Sequence, residues 1–160
     1  MSAATDLLRE RYRGLAVPLR SVSELADEAA GLSPSDLRRR IDTVHGFLVH
    51  SVLRLSRDEV RAVYPVLSRL LAGPPGSVPL TREHEEVTRL VNELAELRHR
   101  LSRAAITGTE TKDLRRILYG LDLIVRLHFE KEEQLMLPFL ERRLSEAEAR
   151  CLYETLSRGP

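Results

Sequence analysis

Apolar residues return at every third or fourth position through almost the whole of this 160-residue chain, and few architectures tolerate that spacing. A side chain that recurs every three to four residues faces the same way along an α-helix. No convincing segment alternates apolar and polar positions with the Val, Ile or Thr enrichment of a strand. The expected fold is therefore all-α. Four long helices with short connections pack as an antiparallel up-down four-helix bundle. The length favours one domain, 1–160, built from two helix pairs at about 3–71 and 80–143.

Capping signals divide the chain. The first helix is expected over about 3–30, with a seam of Leu8, Tyr12, Leu15, Leu19, Val22 and Ala26. In "GLSPSD", Gly31 stops it, Ser33 is the next N-cap, Pro34 takes the first helical position and Asp36 is the capping-box acid. The second helix then runs to about 71, with an expected kink at Pro65. "AGPPGSVP" at 72–79 is the clearest loop. A third helix is expected over about Thr81 to 105, and "TGTE" as a turn. A fourth follows at about 110–143, interrupted at Pro138, and "SEAE" from Ser145 caps a short final helix.

Composition excludes several classes. The net charge of +1 gives no field to steer nucleic acid, and "LRRR" at 37–40 reads as a solvated face. No apolar run reaches membrane-spanning length, and the start lacks the apolar core of a secretion signal. The single cysteine, Cys151, cannot form an internal disulfide and reads as a small packing residue. A cytoplasmic protein is expected, monomeric or homodimeric.

The chain also repeats itself. Aligned on their prolines, "LHFEKEEQLMLPFL" (127–140) falls on "RLSRDEVRAVYPVL" (54–67), so His128 meets Leu55 and Glu132 meets Glu59. A weaker alignment lays "EHEEV" (83–87) on "RYRGL" (11–15) and matches His84 with Tyr12. The fourth helix has the seam Leu114, Leu118, Leu121, Val125, His128, Glu132, Leu135, Phe139. Glu59 falls on a seam with Leu48, Val52, Leu55 and Val66, and His84 leads Val87, Val91 and Leu94. Carboxylates facing a bundle interior lose several kcal/mol of solvation unless paired. A cation gathered from several helices meets that cost; for Glu59, an arginine such as Arg54 or Arg57 is the alternative. His50 lies across the helix from Glu59, and His45 stands fourteen residues before it, about 21 Å along the axis. His99 is similarly remote from His84.

On these motifs the chain resembles the hemerythrin-like (HHE cation-binding) family. "HFEKEEQLMLPFL" is similar to that family's last-helix signature, "E…YPVLSRLL" to its second-helix counterpart, and "REHEEVTRLVNEL" to its third helix. The resemblance implies a non-haem di-iron centre with terminal histidines and two bridging carboxylates. It assigns metal-ligand roles to Glu59, His84, His128 and Glu132, with Glu133 as the neighbouring candidate. Two family histidine positions are occupied by Tyr12 and Leu55, so one coherent half of the site is missing.

Three readings follow. In the first, one iron ion is held by His84, His128, Glu132 and Glu59, and the chain binds or activates O2, NO or peroxide, or oxidises a small organic substrate in a pocket beside Leu55. In the second, two irons remain with Tyr12 as a ligand. In the third, the bundle is a metal-free binding or regulatory module. The first is favoured.

Overall fold

Side-chain caps start four of the helices, and the structure, a computed structural model, describes residues 2–71, 78–101 and 106–158. Helix α1 is Ala3–Glu28, started by a capping box between Ser2 and Thr5. It ends two residues before the expected 30, where the Gly31 amide bonds back to the Glu28 carbonyl at 2.9 Å. Helix α2 spans 34–70 and opens with Ser33 accepting from the Asp36 amide and Pro34 in the first turn. Helix α3 is Val78–Leu101, starting before the expected Thr81; Pro79 fits its first turn, where no intrahelical N–H bond is needed. The expected loop at 72–77 and the expected end of this helix at 102–105 lie outside the described residues.

Helix α4 spans 108–143. It begins two residues earlier than expected because "TGTE" is a cap: Thr107 accepts from the Glu110 amide and Glu110 closes the box. Ser145 and Glu148 form the same box for α5, Glu146–Ser157. Among the described residues there is no strand, and no helix is long and apolar enough to cross a membrane.

The first four helices form a closed ring, α1 against α2 and α4, and α3 against α2 and α4. Their seams fill one continuous core that includes Leu8, Leu25, Leu48, Leu94, Leu118 and Leu121. Helix α5 packs across α1 and the middle of α2, burying Leu152 and Leu156. Its C-terminal carbonyl at Leu156 accepts from Arg11 at 2.8 Å. Cys151 is exposed rather than packed.

The two internal prolines of α2 and α4 are met by π-helical turns. Glu59–Val63 precedes Pro65, and Glu132–Met136 precedes Pro138; a third π turn is Leu48–Val52. A proline ring collides with the carbonyl four residues back in a regular helix. A widened turn just upstream relieves that crowding while keeping the chain helical. The extra residue shifts the seam by one. On α4, Met136 and Leu140 are buried, whereas the expected Leu135 is 67% exposed and Phe139 only half-buried. On α2, Leu67 is buried in place of the expected Val66.

Candidate metal centre

Where α2, α3 and α4 face one another, the core changes from aliphatic to polar. Glu59 and Glu132 have no solvent exposure, and His84 and His128 are buried beside them. Each carboxylate is the first residue of a π turn. One ligand atom from each of the four lies within 4.8 Å of every other. The imidazole Nε2 atoms of His84 and His128 are 2.8 Å apart. Glu59 Oε2 is 3.3 Å from His84 Nε2 and 3.9 Å from His128 Nε2. Glu132 Oε1 is 3.5 Å from His128 Nε2.

The surroundings orient these groups. His128 Nδ1 lies 2.8 Å from Glu83 Oε2, and Glu83 is itself paired with Lys131. A carboxylate on Nδ1 keeps the proton there and turns Nε2 inward as a lone pair when the ring is neutral. Tyr64 stacks on His84 with ring centroids 5.3 Å apart and planes 17° apart. Its hydroxyl donates to Glu132 Oε1 at 3.0 Å and lies 3.1 Å from His84 Nε2. Tyr12 stacks on Phe129 at 5.1 Å.

Without a cation, the cluster is electrostatically strained. Burial alone would lower His128, but Glu59, Glu132 and Glu83 outweigh it and push the imidazole up to about 9. Burial, and then the charge of Glu59, push Glu132 up to about 8. Burial would raise Glu59 too, yet contacts with His128 and His84 hold it below the usual carboxylate range. Burial and the two carboxylates drive both Tyr12 and Tyr64 well above an ordinary phenol. A bound cation inverts this logic, because its charge favours the anionic form of every group around it.

Four buried oxygens also lack a hydrogen-bond partner: both of Glu59, Oε2 of Glu132 and the Tyr12 hydroxyl; His84 Nδ1 is unpartnered as well. Each such group costs about 1–3 kcal/mol, and more when charged. The donor set, two imidazoles and two carboxylates with unused lone pairs, fits a metal ion.

The expected residues divide accordingly. Glu59, His84, His128 and Glu132 are brought together. Glu133 is half-buried and outside the group; one position along the helix turns it away. Tyr12 is buried with its hydroxyl unpartnered, and Leu55 packs in the core. Arg54 and Arg57 are exposed, and the side-chain nitrogens beside Glu59 are those of the two histidines. The neighbouring Asp58 takes Arg11 and Arg61 instead. His50 and His99 are exposed and His45 half-buried, and none of them joins the cluster.

Sequence reasoning missed Glu83 and Tyr64. Glu83 stands next to His84, and only the packing of α3 on α4 brings it to His128. Tyr64 sits in the quoted "YPVL", five residues after Glu59. In a regular helix that spacing turns a side chain about 140° away; the π turn's i→i+5 closure returns it to the same side.

Two grooves adjoin the site. One of about 300 Å³ beside Leu55 is lined by Leu15, Arg11 and Asp58 but by none of the four clustered residues. A larger one, about 610 Å³, lies between α2 and α3 and reaches His84 past Val49, Leu53, Val60 and Thr88.

The family model described as the hemerythrin HHE cation binding domain matches residues 10–140. No curated protein and no solved structure matches the chain.

Proposed function

The chain belongs to the hemerythrin HHE cation-binding family, and we propose that Glu59, His84, His128 and Glu132 hold a single iron ion that binds or activates O2, NO or peroxide. The observation that carries this reading is the convergence of four buried ligand atoms within 4.8 Å, with three carboxylate oxygens left unpartnered. A mixed imidazole and carboxylate set suits first-row transition ions better than calcium or magnesium, which prefer oxygen alone.

One ion is favoured over two because Leu55 offers no donor and packs in the core. A second ion would have Tyr12 alone besides shared carboxylates. When bound, iron supplies Lewis acidity and one-electron redox chemistry to a small ligand. The chain's own residues do the rest. Glu83 keeps the His128 proton on Nδ1, Tyr64 holds His84 and Glu132 in place, and the aliphatic seams keep bulk water away. The groove at His84 is the route a small ligand or organic substrate would take, in preference to the one beside Leu55.

Metal analysis after expression with ample iron tests the proposal. About one iron per chain is expected, lost in Glu132→Ala and His128→Ala, and the ferrous protein's spectrum should change on exposure to O2 or NO. Two irons per chain would instead favour the reading with Tyr12. A chain that takes up no iron would be a metal-free module.

A further inference from the structure

Against two of the four clustered residues stands a polar group that the family's histidines and carboxylates do not account for. Tyr64 is buried, and its Oη lies 3.0 Å from Glu132 Oε1 and 3.1 Å from His84 Nε2. Donors on neighbouring corners of a six-coordinate ion, with bonds of about 2.1 Å, are about 3.0 Å apart. Both of Tyr64's separations match that figure. So does the 2.8 Å between the two imidazole nitrogens.

The backbone explains why Tyr64 is there. The π turn that opens at Glu59 closes at Tyr64, whose amide bonds to the Glu59 carbonyl. One widened turn therefore fixes both side chains relative to each other. The proline-phased alignment pairs Tyr64 with Leu137, which is fully buried and apolar. The repeat that lost its histidine at Leu55 is thus the one that carries a phenol.

We propose that Tyr64 Oη is a fifth protein donor to the iron, binding the ferric ion as phenolate with its proton released to solvent. Tyr64 rather than Tyr12 is thereby the phenol that joins His84 and Glu132 around the ion. The Tyr12 hydroxyl faces Glu59 and Glu132 but makes no hydrogen bond of good geometry to either, whereas that of Tyr64 is placed on two of the four donors. This inference rests on the iron reading above.

The test uses the full chain loaded with iron in its ferric form, compared with Tyr64→Phe and Tyr12→Phe. Metal analysis, visible absorption and resonance Raman spectra are recorded on each. The wild-type chain should show a charge-transfer band with tyrosinate ring vibrations. Tyr64→Phe keeps the ring stacked on His84 and should lose the band while retaining iron; Tyr12→Phe should keep both. A band that survives Tyr64→Phe, or vanishes in Tyr12→Phe, overturns the proposal. Iron bound without tyrosinate vibrations sinks this inference alone; no iron in the wild-type chain sinks the functional reading and the inference with it. If Tyr64→Phe does not fold, Tyr12→Phe decides. The only other tyrosines, Tyr119 and Tyr153, are exposed, so a band retained there belongs to Tyr64.

Discussion

Glu83 keeps about a fifth of its side chain exposed, yet it sets which nitrogen of His128 faces the cluster. Removing such an outer partner typically lowers metal affinity about 10- to 100-fold. Glu83→Ala is therefore expected to weaken iron binding by that order in a chelator competition; an unchanged affinity would show that His128 needs no orienting group. Tyr12 and Leu55 admit the opposite experiment. The double substitution Tyr12→His, Leu55→His restores two imidazoles on the side of the site that lacks them, and should raise the iron stoichiometry above that of the wild-type chain. Glu59, His128 and Glu132 were legible as ionisable groups on apolar seams, whereas His84 drew its role almost wholly from the family resemblance. Glu83 was not legible, since on its own helix it reads as one acid in the run "REHEE".

Helices α2 and α4 show how far periodicity can be trusted. Steps of three and four place every seam residue correctly up to Glu59 and Glu132, then fail by one position, because the π turns that open at these two residues each insert a residue that a fixed period cannot register. The slip makes Leu135 and Met136 a sharp comparison. Leu135→Gln, on the solvent side, should change stability by no more than about 0.5 kcal/mol. Met136→Ala, in the core, should cost about 2–5 kcal/mol. Urea denaturation of the two variants measures both, and the reverse order would refute the shifted register. The prolines themselves were plain in the sequence. The π turns that precede them were not, since a widened turn leaves no mark of its own in the spacing of residues.

For the molecule as a whole, the buried charges of the site couple stability to pH, and a metal bound there would couple it to metal as well. In the metal-free chain His128 is raised from 6.5 to about 9 and Glu132 from 4.5 to about 8. Both therefore hold protons more tightly folded than unfolded. Their contribution is complete below the unfolded values and is lost as pH rises through about 8 to 9. Glu59, held low, has the opposite sign and contributes above 4.5. The melting temperature of chelator-stripped protein should accordingly fall between pH 6.5 and 9. Iron binding should tighten over the same interval as its ligands lose protons. Adding iron should raise the melting temperature, since an ion that binds only the folded chain stabilises it by mass action. A stripped chain that grows more stable across this window would contradict the arrangement of charges described above.

Helix number, caps and the core upstream of Glu59 and Glu132 were fixed by local chemistry: a cap needs only residues three apart, and a seam only its own period. The all-α bundle could be read from that chemistry, and the quartet of Glu59, His84, His128 and Glu132 from the internal repeat together with the family resemblance. Which donors stand within 3 Å of one another could not be. That depends on the relative rotation of three helices and on two widened turns, quantities set by packing among residues far apart in the chain. Tyr64 and Glu83 took their places at the site only when α2, α3 and α4 closed around it.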